Sequence, residues 1–405
     1  MNSPKKIIVI GGGAAGFFFA INCAEKNQNY DITILEKSPK ILEKVRISGG
    51  GRCNVTHACF EPRALVKFYP RGEKELLGPF HHFSPKQTIE WFEKRGVKLK
   101  TEADGRMFPT TDNSETIIDC FLSETKRLGI KIKTLIGVEN LIPTENDQWQ
   151  IVTNRDESIV ADAVFIASGS ATRMWNILEK LNYKIEPPVP SLFTFNIKDE
   201  RIKDLMGVSV NNAEVKVAGS KLTAQGPLLI THWGMSGPAI LKLSAWGARE
   251  LHKQQHQFQI LVKWANDFDL PKMIAELKNY KQENPKRMVA SNNLFQIPMR
   301  LWKSLVLYCA ISETENWATI SSQKLDALAK ELTQGLYTVK GKSTNKEEFV
   351  TCGGVALNQI DFKSMQSKLH PNLFFGGEVL NIDAVTGGFN FQAAWTEAWI
   401  ASQNL

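Results

Sequence analysis

The sequence has no apolar run approaching the ~18 residues of a membrane-spanning helix, which excludes a transmembrane helix. Its first residues lead directly into a strand-like segment and lack the apolar stretch and cleavage site of a secretory signal. Six cysteines are scattered through 405 residues without the paired spacing of a zinc site, which is typical of a reducing compartment. These absences predict a cytoplasmic globular protein.

Several catalytic signatures are also missing. No G-x-S-x-G elbow indicates hydrolysis, and no His/Asp/Glu cluster has metal-ligand spacing, so no metal is predicted. There are no internal repeats and no low-complexity segments. At about 100–200 residues per domain, the length predicts two or three domains with ample core.

The positive charge is concentrated in one segment. The whole chain carries +7, and Lys37 to Lys100 contains fourteen Lys/Arg, six Glu and no Asp, an excess of +8. Basic residues interleaved with aromatic ones are typical of single-stranded nucleic acid binding. The alternative is a basic cofactor-facing loop followed by a solvated helix over 85–95, whose Ile89, Trp91 and Phe92 are core residues. The interleaved aromatic residues are Phe60, Phe68, Tyr69, Phe80, Phe83, Trp91 and Phe92.

A nucleotide-binding pattern opens the chain. The strand-like Ile7–Ile10 leads into G-x-G-x-x-G at residues 11–16, then a helix, then a second strand that ends at Glu36. Gly11 permits the tight turn, Gly13 lets the backbone approach a diphosphate, and Gly16 allows close helix–strand packing. Glu36 is suited to bind the ribose hydroxyls. The order of these parts predicts a dinucleotide site.

The far end of the chain indicates which dinucleotide binds. A buried strand near residues 371–375 ends in Gly376–Glu378, and residues 386–392 open a helix. Flavoproteins hold the ribityl chain and the pyrimidine edge of the flavin with such a strand, acid, loop and helix. There is no second glycine-rich nucleotide unit, so bound FAD fits better than a dissociable nicotinamide alone.

The segment Ser48–Asn54 reads S-G-G-G-R-C-N, and it resembles the signature of a bacterial FAD-dependent oxidoreductase family. Further matches cover nearly the whole chain: Gly105–Pro109, Thr231–Leu241, Val350–Val355 and Gly377–Leu380. That family includes proteins described as aminoacetone oxidases. It also includes the flavoenzyme that reduces a uridine of large-subunit ribosomal RNA to dihydrouridine.

The resemblance implies an α/β fold with a Rossmann-type, glutathione-reductase-like FAD-binding domain. It also implies an inserted β-barrel-like domain and a small helical domain. We assign residues 1–190 and 346–405 to the FAD domain, 191–268 and 336–345 to the β-rich domain, and 269–335 to the helical domain. Short β-rich runs and a helical periodicity in these segments agree with the assignment, and Pro187–Pro190 is predicted to be a stiff exit from the FAD domain.

The predicted cofactor-binding residues combine these motifs with the resemblance. They are Gly11, Gly13, Ala14, Ala15, Gly16, Glu36, Lys37, Arg46, Ser48, Gly50, Gly51, Arg52, Cys53, Asn54, Val138, Ala167, Ser168, Gly169, Gly377, Glu378, Asn390, Phe391 and Gln392.

Two residues are candidates for catalysis. Cys53 lies beside Arg52, so we expect its thiol pKa to fall, which would make it a proton donor or a nucleophile. The alternative is a small cysteine buried in a tight loop. His57 is an acid/base candidate because histidine titrates near neutral pH.

Three functions remain open at this point. The first is an NAD(P)H-dependent flavin reductase that acts on a uridine C5=C6 bond in 23S ribosomal RNA, with the basic segment contacting the RNA. The second is a small-molecule amine oxidase that uses O2, and the third is a flavin-bearing RNA-binding or ribosome-assembly protein. The sequence has no recognisable nicotinamide site to choose NADH or NADPH.

Overall fold

The computed structural model describes residues 4–343 and 350–405 and divides into two compact units. The first unit comprises residues 1–189 and 350–405, and the second comprises residues 190–349. The first unit therefore joins the two ends of the chain. The domain boundary predicted at residues 345/346 lies outside the described residues. Among the described residues, no helix is long and apolar enough to span a membrane.

The elements of the first unit alternate between strands and helices. Up to residue 109 they are β1 (Lys5–Ile10), α1 (Ala14–Lys26), β2 (Tyr30–Glu36), α2 (Glu43–Gly51), β3 (Thr56–His57), α3 (Pro62–Leu65), α4 (Glu73–His82), α5 (Pro85–Glu93), β4 (Leu99–Thr101) and β5 (Arg106–Pro109). From there they are α6 (Glu115–Arg127), β6 (Lys131–Thr134), β7 (Val138–Pro143), β8 (Trp149–Thr153), β9 (Ser158–Ala161), β10 (Ala163–Ile166), α7 (Thr172–Lys180) and β11 (Ile185–Ser191).

The second unit and the return to the first follow. The second unit contains β12 (Thr194–Asn196), β13 (Ser209–Val217), β14 (Thr223–Thr231), β15 (Gly234–Ser236), α8 (Pro238–Trp246), α9 (Ala248–Lys253), β16 (Gln257–Lys263), α10 (Leu270–Glu283), α11 (Met299–Tyr308), α12 (Ser322–Gln334), β17 (Gly335–Lys340) and β18 (Lys342–Ser343). The chain then returns through β19 (Val350–Val355), β20 (Ile360–Asp361), β21 (Gln366–Ser367), β22 (Leu373–Phe375) and α13 (Phe389–Gln403).

A seven-stranded sheet forms the centre of the first unit, in the order β20-β21-β22-β10-β1-β2-β6. The five strands from β22 to β6 are parallel, with Ile7 of β1 opposite both Ala163 and Ile32. Strands covered on both faces read as continuous apolar runs, which explains the fully buried Ile7–Ile10. The carboxyl ends of these parallel strands meet at one edge, where ligands bind in such sheets.

Helices α1 and α13 pack against each other in the core of this unit. Phe17, Phe18 and Phe19 of α1 are fully buried, and the Phe18 ring lies 5.1 Å from that of Trp395 on α13. A helix that is apolar on all sides belongs to an interior. This packing fixes the helix that begins at the glycine-rich turn against the last helix of the chain.

The second unit is built on a seven-stranded sheet, in the order β17-β16-β13-β14-β15-β12-β18. Its strand pairs are antiparallel. The segment predicted as a helical domain shares a core with this sheet, since Trp302 and Leu328 lie in one apolar cluster with Ile260. Division of this unit into a β-rich and a helical domain stays a prediction.

The proline-rich segment lies where the first compact unit ends, between residues 189 and 190. Residues 187–190 belong to strand β11, which pairs with β19. Proline cannot donate a ladder hydrogen bond, and a two-stranded ribbon leaves an open side on which that donor is not needed. The predicted stiff exit therefore has the form of an extended strand.

Candidate cofactor site

The turn between β1 and α1 has the geometry that its glycines predict. Gly11 has φ +117°, and a Cβ there would lie 2.3 Å from the Ala167 carbonyl oxygen. A Cβ on Gly16 would lie 2.1 Å from the Gly11 carbonyl oxygen, so any side chain would separate the helix from the strand. A Cβ on Gly13, in contrast, meets no atom within 4 Å. The turn thus packs tightly against the protein at Gly11 and Gly16, and it leaves free space beside its backbone at Gly13.

Glu36 lies beside this turn at the end of β2. Its Oε2 accepts a hydrogen bond from the Gly12 backbone N–H at 2.8 Å, and its Oε1 accepts one from Ser38 N–H at 2.8 Å. Val138 is the first residue of β7, and the preceding Gly137 lies near the Cβ atom of Lys37. The carboxylate of Glu36, which is predicted to bind the ribose, therefore lies at the glycine-rich turn. Lys37 and the start of β7 lie next to each other beyond it in the chain.

The S-G-G-G-R-C-N segment forms a loop rather than a helical turn. The regular part of α2 ends at Ser48, and Gly49, Gly50 and Gly51 have φ of 59°, 69° and 83°. A Cβ on Gly50 or Gly51 would meet no atom within 4 Å. Glycine adopts this left-handed region without strain, and the absence of side chains leaves the loop backbone accessible to an anion. Asn54 links the loop to α13, since its amide oxygen, in the orientation that satisfies its neighbours, accepts from Gly388 N–H at 3.0 Å.

The two arginines of this region are already paired with carboxylates. Arg46 forms ion pairs with Glu115 and Glu43. Arg52 donates to Glu102 at 2.6 Å, and its guanidinium lies 3.9 Å from the centre of the Phe108 ring. The structure therefore brings both arginines to the predicted site, but their charges are largely neutralised by the protein itself.

Two further loops meet the glycine-rich turn at the carboxyl edge of the sheet. Ala167–Gly169 follows β10, and a Cβ on Gly169 would lie 3.9 Å from Oε2 of Glu378. Gly377 follows β22, and a Cβ there would lie 3.3 Å from Cβ of Ala15 on the first turn of α1. Glu378 forms an ion pair with Lys44, a residue that the sequence reasoning did not select. Loops from three neighbouring strands thus converge at this edge of the sheet.

The start of α13 is surrounded by aromatic rings. The His57 ring stacks on Phe389 with centroids 4.6 Å apart, and the Phe68 ring stacks on Phe389 at 4.2 Å. Buried Tyr69 donates to the Phe389 carbonyl oxygen at 2.6 Å. These contacts hold the first turn of the helix in place.

The three predicted α13 residues differ in what they contact. Asn390 accepts from Ala384 N–H at 2.9 Å and so closes the preceding loop, while the Phe391 ring stacks 5.4 Å from that of Trp395. Gln392 is fully buried, and its Oε1 accepts from the hydroxyls of Thr56 and Thr88. We therefore correct its predicted role, because this amide supports the helix from behind instead of facing the open loops.

Cys53 contradicts the expectation of a lowered thiol pKa. Its side chain is fully buried, and burial raises the pKa to about 12 against a smaller opposing hydrogen bond with Ser48. Its neighbour Arg52 extends to Glu102 and gives the thiol no stabilising charge. A nucleophilic thiolate at Cys53 is therefore wrong, and the alternative of a small cysteine in a tight loop describes the structure.

His57 is held in one orientation. Its Nε2 lies 3.1 Å from the Asp104 carbonyl oxygen, which can only accept, so the ring proton resides on Nε2. Its Nδ1 is buried without a hydrogen-bond partner in the described part of the chain. Burial lowers the pKa of this imidazole, although Asp104 opposes the shift, so the neutral form dominates at neutral pH.

The aromatic residues of the basic segment follow the alternative of a solvated helix with core aromatic rings, and not the nucleic acid interpretation. Tyr69, Phe80, Phe83, Trp91 and Phe92 are buried in the core, and only Phe60 is more than half exposed. Eight of the fourteen cations also have carboxylate partners: Lys40, Lys44, Arg46, Arg52, Lys67, Arg71, Arg95 and Lys100. Six have no ion-pair partner within residues 4–343 and 350–405: Lys37, Arg63, Lys74, Lys86, Lys94 and Lys98.

The residues present fit FAD. The positions of Gly13, Gly50 and Gly51 leave open space along exposed backbone, which a diphosphate needs. Ser168 Oγ is buried without a partner among the described residues, so a polar ligand group beside it would satisfy it. No group of three or more metal-ligating side chains occurs in the parts of the chain that the structure describes.

This fold and these converging loops define a Rossmann-type FAD-binding oxidoreductase. The chain belongs to the family described as "HI0933-like protein Rossmann domain", whose model matches residues 5–404. The 3-ketosteroid-delta4-(5alpha)-dehydrogenase of Rhodococcus jostii RHA1 shares the fold, with a TM-score of 0.52 over 99% of this chain and 98% of that chain at 12% identity.

Curated relatives align over the full length of the chain. It is 27% identical to "Ribosomal RNA dihydrouridine synthase" of Haemophilus influenzae, over 100% of this chain and 99% of that protein. It is 25% identical to the protein of the same name in Escherichia coli, over 98% and 97%. It is also 22% identical to "3-dehydro-bile acid delta(4,6)-reductase" of Clostridium scindens, over 98% of both.

Proposed function

We propose that this chain is an NAD(P)H-dependent flavin reductase that saturates the C5=C6 bond of a uridine in 23S ribosomal RNA. The observation that carries the proposal is the full-length similarity to two ribosomal RNA dihydrouridine synthases. Similarity over the whole chain includes both compact units, so it reflects more than a shared Rossmann domain.

We also propose which residues hold FAD. The backbone at Gly11–Gly16 and Ser48–Arg52 binds the diphosphate, and Glu36 binds the adenosine ribose. Ser168 Oγ and the Gly377–Glu378 loop contact the rest of the cofactor, next to the first turn of α13. Support comes from the open space at Gly13, Gly50 and Gly51 and from the convergence of loops at one sheet edge.

Saturating a carbon–carbon double bond requires a hydride at one carbon, which bound FAD supplies when reduced, and a proton at the other. Of the two catalytic candidates we favour His57, because burial raises the pKa of the Cys53 thiol to about 12. The Nε2–H of His57 is held by the Asp104 carbonyl oxygen, so Nδ1 is the nitrogen left without a partner among the described residues. The stack on Phe389 holds the ring in place.

RNA contact is proposed at two kinds of residue. Arg63 and Lys74 are exposed cations of the first unit that can meet phosphates. In the second unit, Trp233 lies in the turn between β14 and β15 and is 65% exposed. Its carbonyl oxygen accepts from Ile197 N–H at 2.8 Å, so the backbone is fixed while the indole faces solvent. A fixed, exposed aromatic ring is a stacking surface for an unpaired base.

The test of the proposed function is the dihydrouridine content of 23S ribosomal RNA. Deletion of the gene is expected to remove one dihydrouridine, measured by mass spectrometry of digested RNA. Expression of the wild-type chain should restore it, and a Gly13→Val chain, which we expect to lack FAD, should not. Unchanged dihydrouridine in the deletion strain would refute the function.

Replacing Trp233 by alanine is expected to raise KM for the RNA about tenfold, because base stacking on an aromatic ring contributes about 1–3 kcal/mol. Affinity for FAD should stay as in the wild type. Trp246, which is 41% exposed on α8, provides the control, and Trp246→Ala should leave KM unchanged. Equal KM values for both variants would remove Trp233 from the RNA surface.

A reductase of small conjugated substrates is the second candidate. The similarity to a 3-dehydro-bile acid reductase supports it, and the burial of the aromatic residues in the basic segment removes one argument for RNA. Turnover of a conjugated enone by the purified protein, with no effect of deletion on ribosomal RNA, would select it. Oxygen-dependent turnover of aminoacetone would instead select the amine oxidase.

A further inference from the structure

A buried carboxyl group lies behind one of the three loops of the cofactor site. Glu397 of α13 has no exposed surface, and its Oε2 accepts a hydrogen bond from the Gly377 backbone N–H at 2.6 Å. Its Oε1 has no hydrogen-bond partner among the residues that the structure describes. A Cβ on Gly376 would lie 3.5 Å from Cβ of Glu397, so the helix and the loop are in contact. The side chain therefore supports this loop directly.

The loop that Glu397 supports borders the glycine-rich turn. Gly377 approaches Ala15 on the first turn of α1, and Glu378 is paired with Lys44. The hydrogen bond from Gly377 to Glu397 thus links the last helix of the chain to the start of α1. Movement of this loop would change the space beside the turn.

No cation compensates Glu397 in the described part of the chain. Burial raises its pKa to about 8, and the Gly377 N–H opposes this only in part. Three other titratable groups lie on or next to the elements packed against α13: buried Cys23 on α1, His57 on β3, and buried Tyr69 just before α4. The pKa of Tyr69 is raised mainly by burial and partly by the charge of Glu397. The charged side chains of α1, α4 and α5 lie at partly or fully exposed positions. A carboxylate here would be a buried, uncompensated charge, so the neutral acid dominates at pH 7.

We propose that Glu397 is a positioning residue that holds the cofactor loop in its carboxylic acid form, and that loss of its proton weakens FAD binding. An ionised Glu397 places a negative charge behind the loop, where it repels the diphosphate and draws water into the contact with Gly377. The inference rests on the proposed FAD site and is independent of the substrate. Its test measures FAD binding, so failure of the RNA proposal would leave it intact.

The experiment measures the dissociation constant of FAD between about pH 6 and about pH 9 for the wild type and for Glu397→Gln. A glutamine keeps an acceptor for Gly377 N–H and cannot ionise. We expect the wild-type constant to rise above about pH 8 by up to about tenfold per pH unit, and that of the variant to stay level. Glu90→Gln, at an exposed position of α5, is the control and should follow the wild type. Parallel profiles for wild type and Glu397→Gln would overturn the proposal.

A second measurement covers the case in which the variant fails to fold. The carboxylic acid band of Glu397 in the wild-type protein is followed by infrared difference spectroscopy against pH. Loss of that band near pH 8 supports the proposal, and a carboxylate already present at pH 6 refutes it. Glu397→Ala should bind FAD more weakly at every pH and without the alkaline rise, because it lacks both the hydrogen bond and the charge.

Discussion

Replacing Gly13 by valine is expected to weaken FAD binding about 100-fold, roughly 2.7 kcal/mol, without unfolding the protein. A Cβ on Gly13 meets no protein atom within 4 Å, and its φ of −98° is open to any residue. The added side chain would instead occupy the space through which a diphosphate approaches the backbone. Fluorescence titration with FAD measures the affinity, and thermal unfolding of the apo-protein measures the stability.

Two other glycines serve as controls for Gly13→Val. Gly16→Ala should impair both folding and FAD binding, because its Cβ would lie 2.1 Å from the Gly11 carbonyl oxygen. Gly78→Ala, in α4 with open space around it, should leave FAD binding unchanged and add up to about 1 kcal/mol of stability. If Gly13→Val binds FAD as tightly as the wild type, the diphosphate lies elsewhere.

Replacing Arg71 by glutamate is expected to cost about 3–5 kcal/mol in the free energy of unfolding. Its guanidinium pairs with Asp383, which is fully buried, so a second carboxylate would leave two negative charges facing each other. The neighbouring Val385 N–H donates to the Phe68 carbonyl oxygen at 3.0 Å, so the pair belongs to a larger contact between these loops. Because the Asp383 loop leads into α13, FAD retention should fall as well. Urea denaturation with and without FAD measures both effects.

Arg63→Glu is the matched control for Arg71→Glu. Arg63 is exposed and has no ion-pair partner within the described residues, so its reversal should change stability by less than about 0.5 kcal/mol. The double variant Arg71→Met/Asp383→Leu removes both charges and should recover part of the lost stability. If Arg71→Glu unfolds like the wild type, the pair contributes nothing, and Arg71 returns to the set of candidate phosphate contacts.

Local geometry made much of the cofactor site predictable. The turn at Gly11–Gly16 depends on backbone conformation and on contacts within the first 36 residues, and the structure reproduces its strand, helix and second strand. The S-G-G-G-R-C-N signature indicated the family that the comparison confirms. Ala167 and Gly377 were both predicted to bind the cofactor, and they meet at this turn because parallel strands place their carboxyl ends together.

Side chains that depend on distant partners were predicted less well. Cys53 lies beside Arg52 in the sequence, but the arginine pairs with Glu102, fifty residues away, and the thiol is buried. Composition left two interpretations of Trp91 and Phe92 open, as base-stacking rings or as core residues of a helix. Only the structure decides for the core, since both rings pack in a cluster with Phe121 of α6. Glu397 was missed entirely, although a single acid within the apolar run of α13 is a signal that could have found it.

The sequence by itself determined the dinucleotide-binding class of this protein, since a strand, a glycine turn and a helix follow from local conformation. The pattern at the far end of the chain and the S-G-G-G-R-C-N signature indicated FAD. Only the tertiary structure decided which charged side chains are available to bind a ligand. Arg71 and Lys44 are neutralised by residues more than 300 positions away, whereas Glu397 has no cationic partner within residues 4–343 and 350–405. Burial and pairing depend on which segments meet in space, and the sequence does not encode that proximity locally. Burial and pairing therefore decide whether an ionisable residue binds a ligand, supports a loop or stabilises the core.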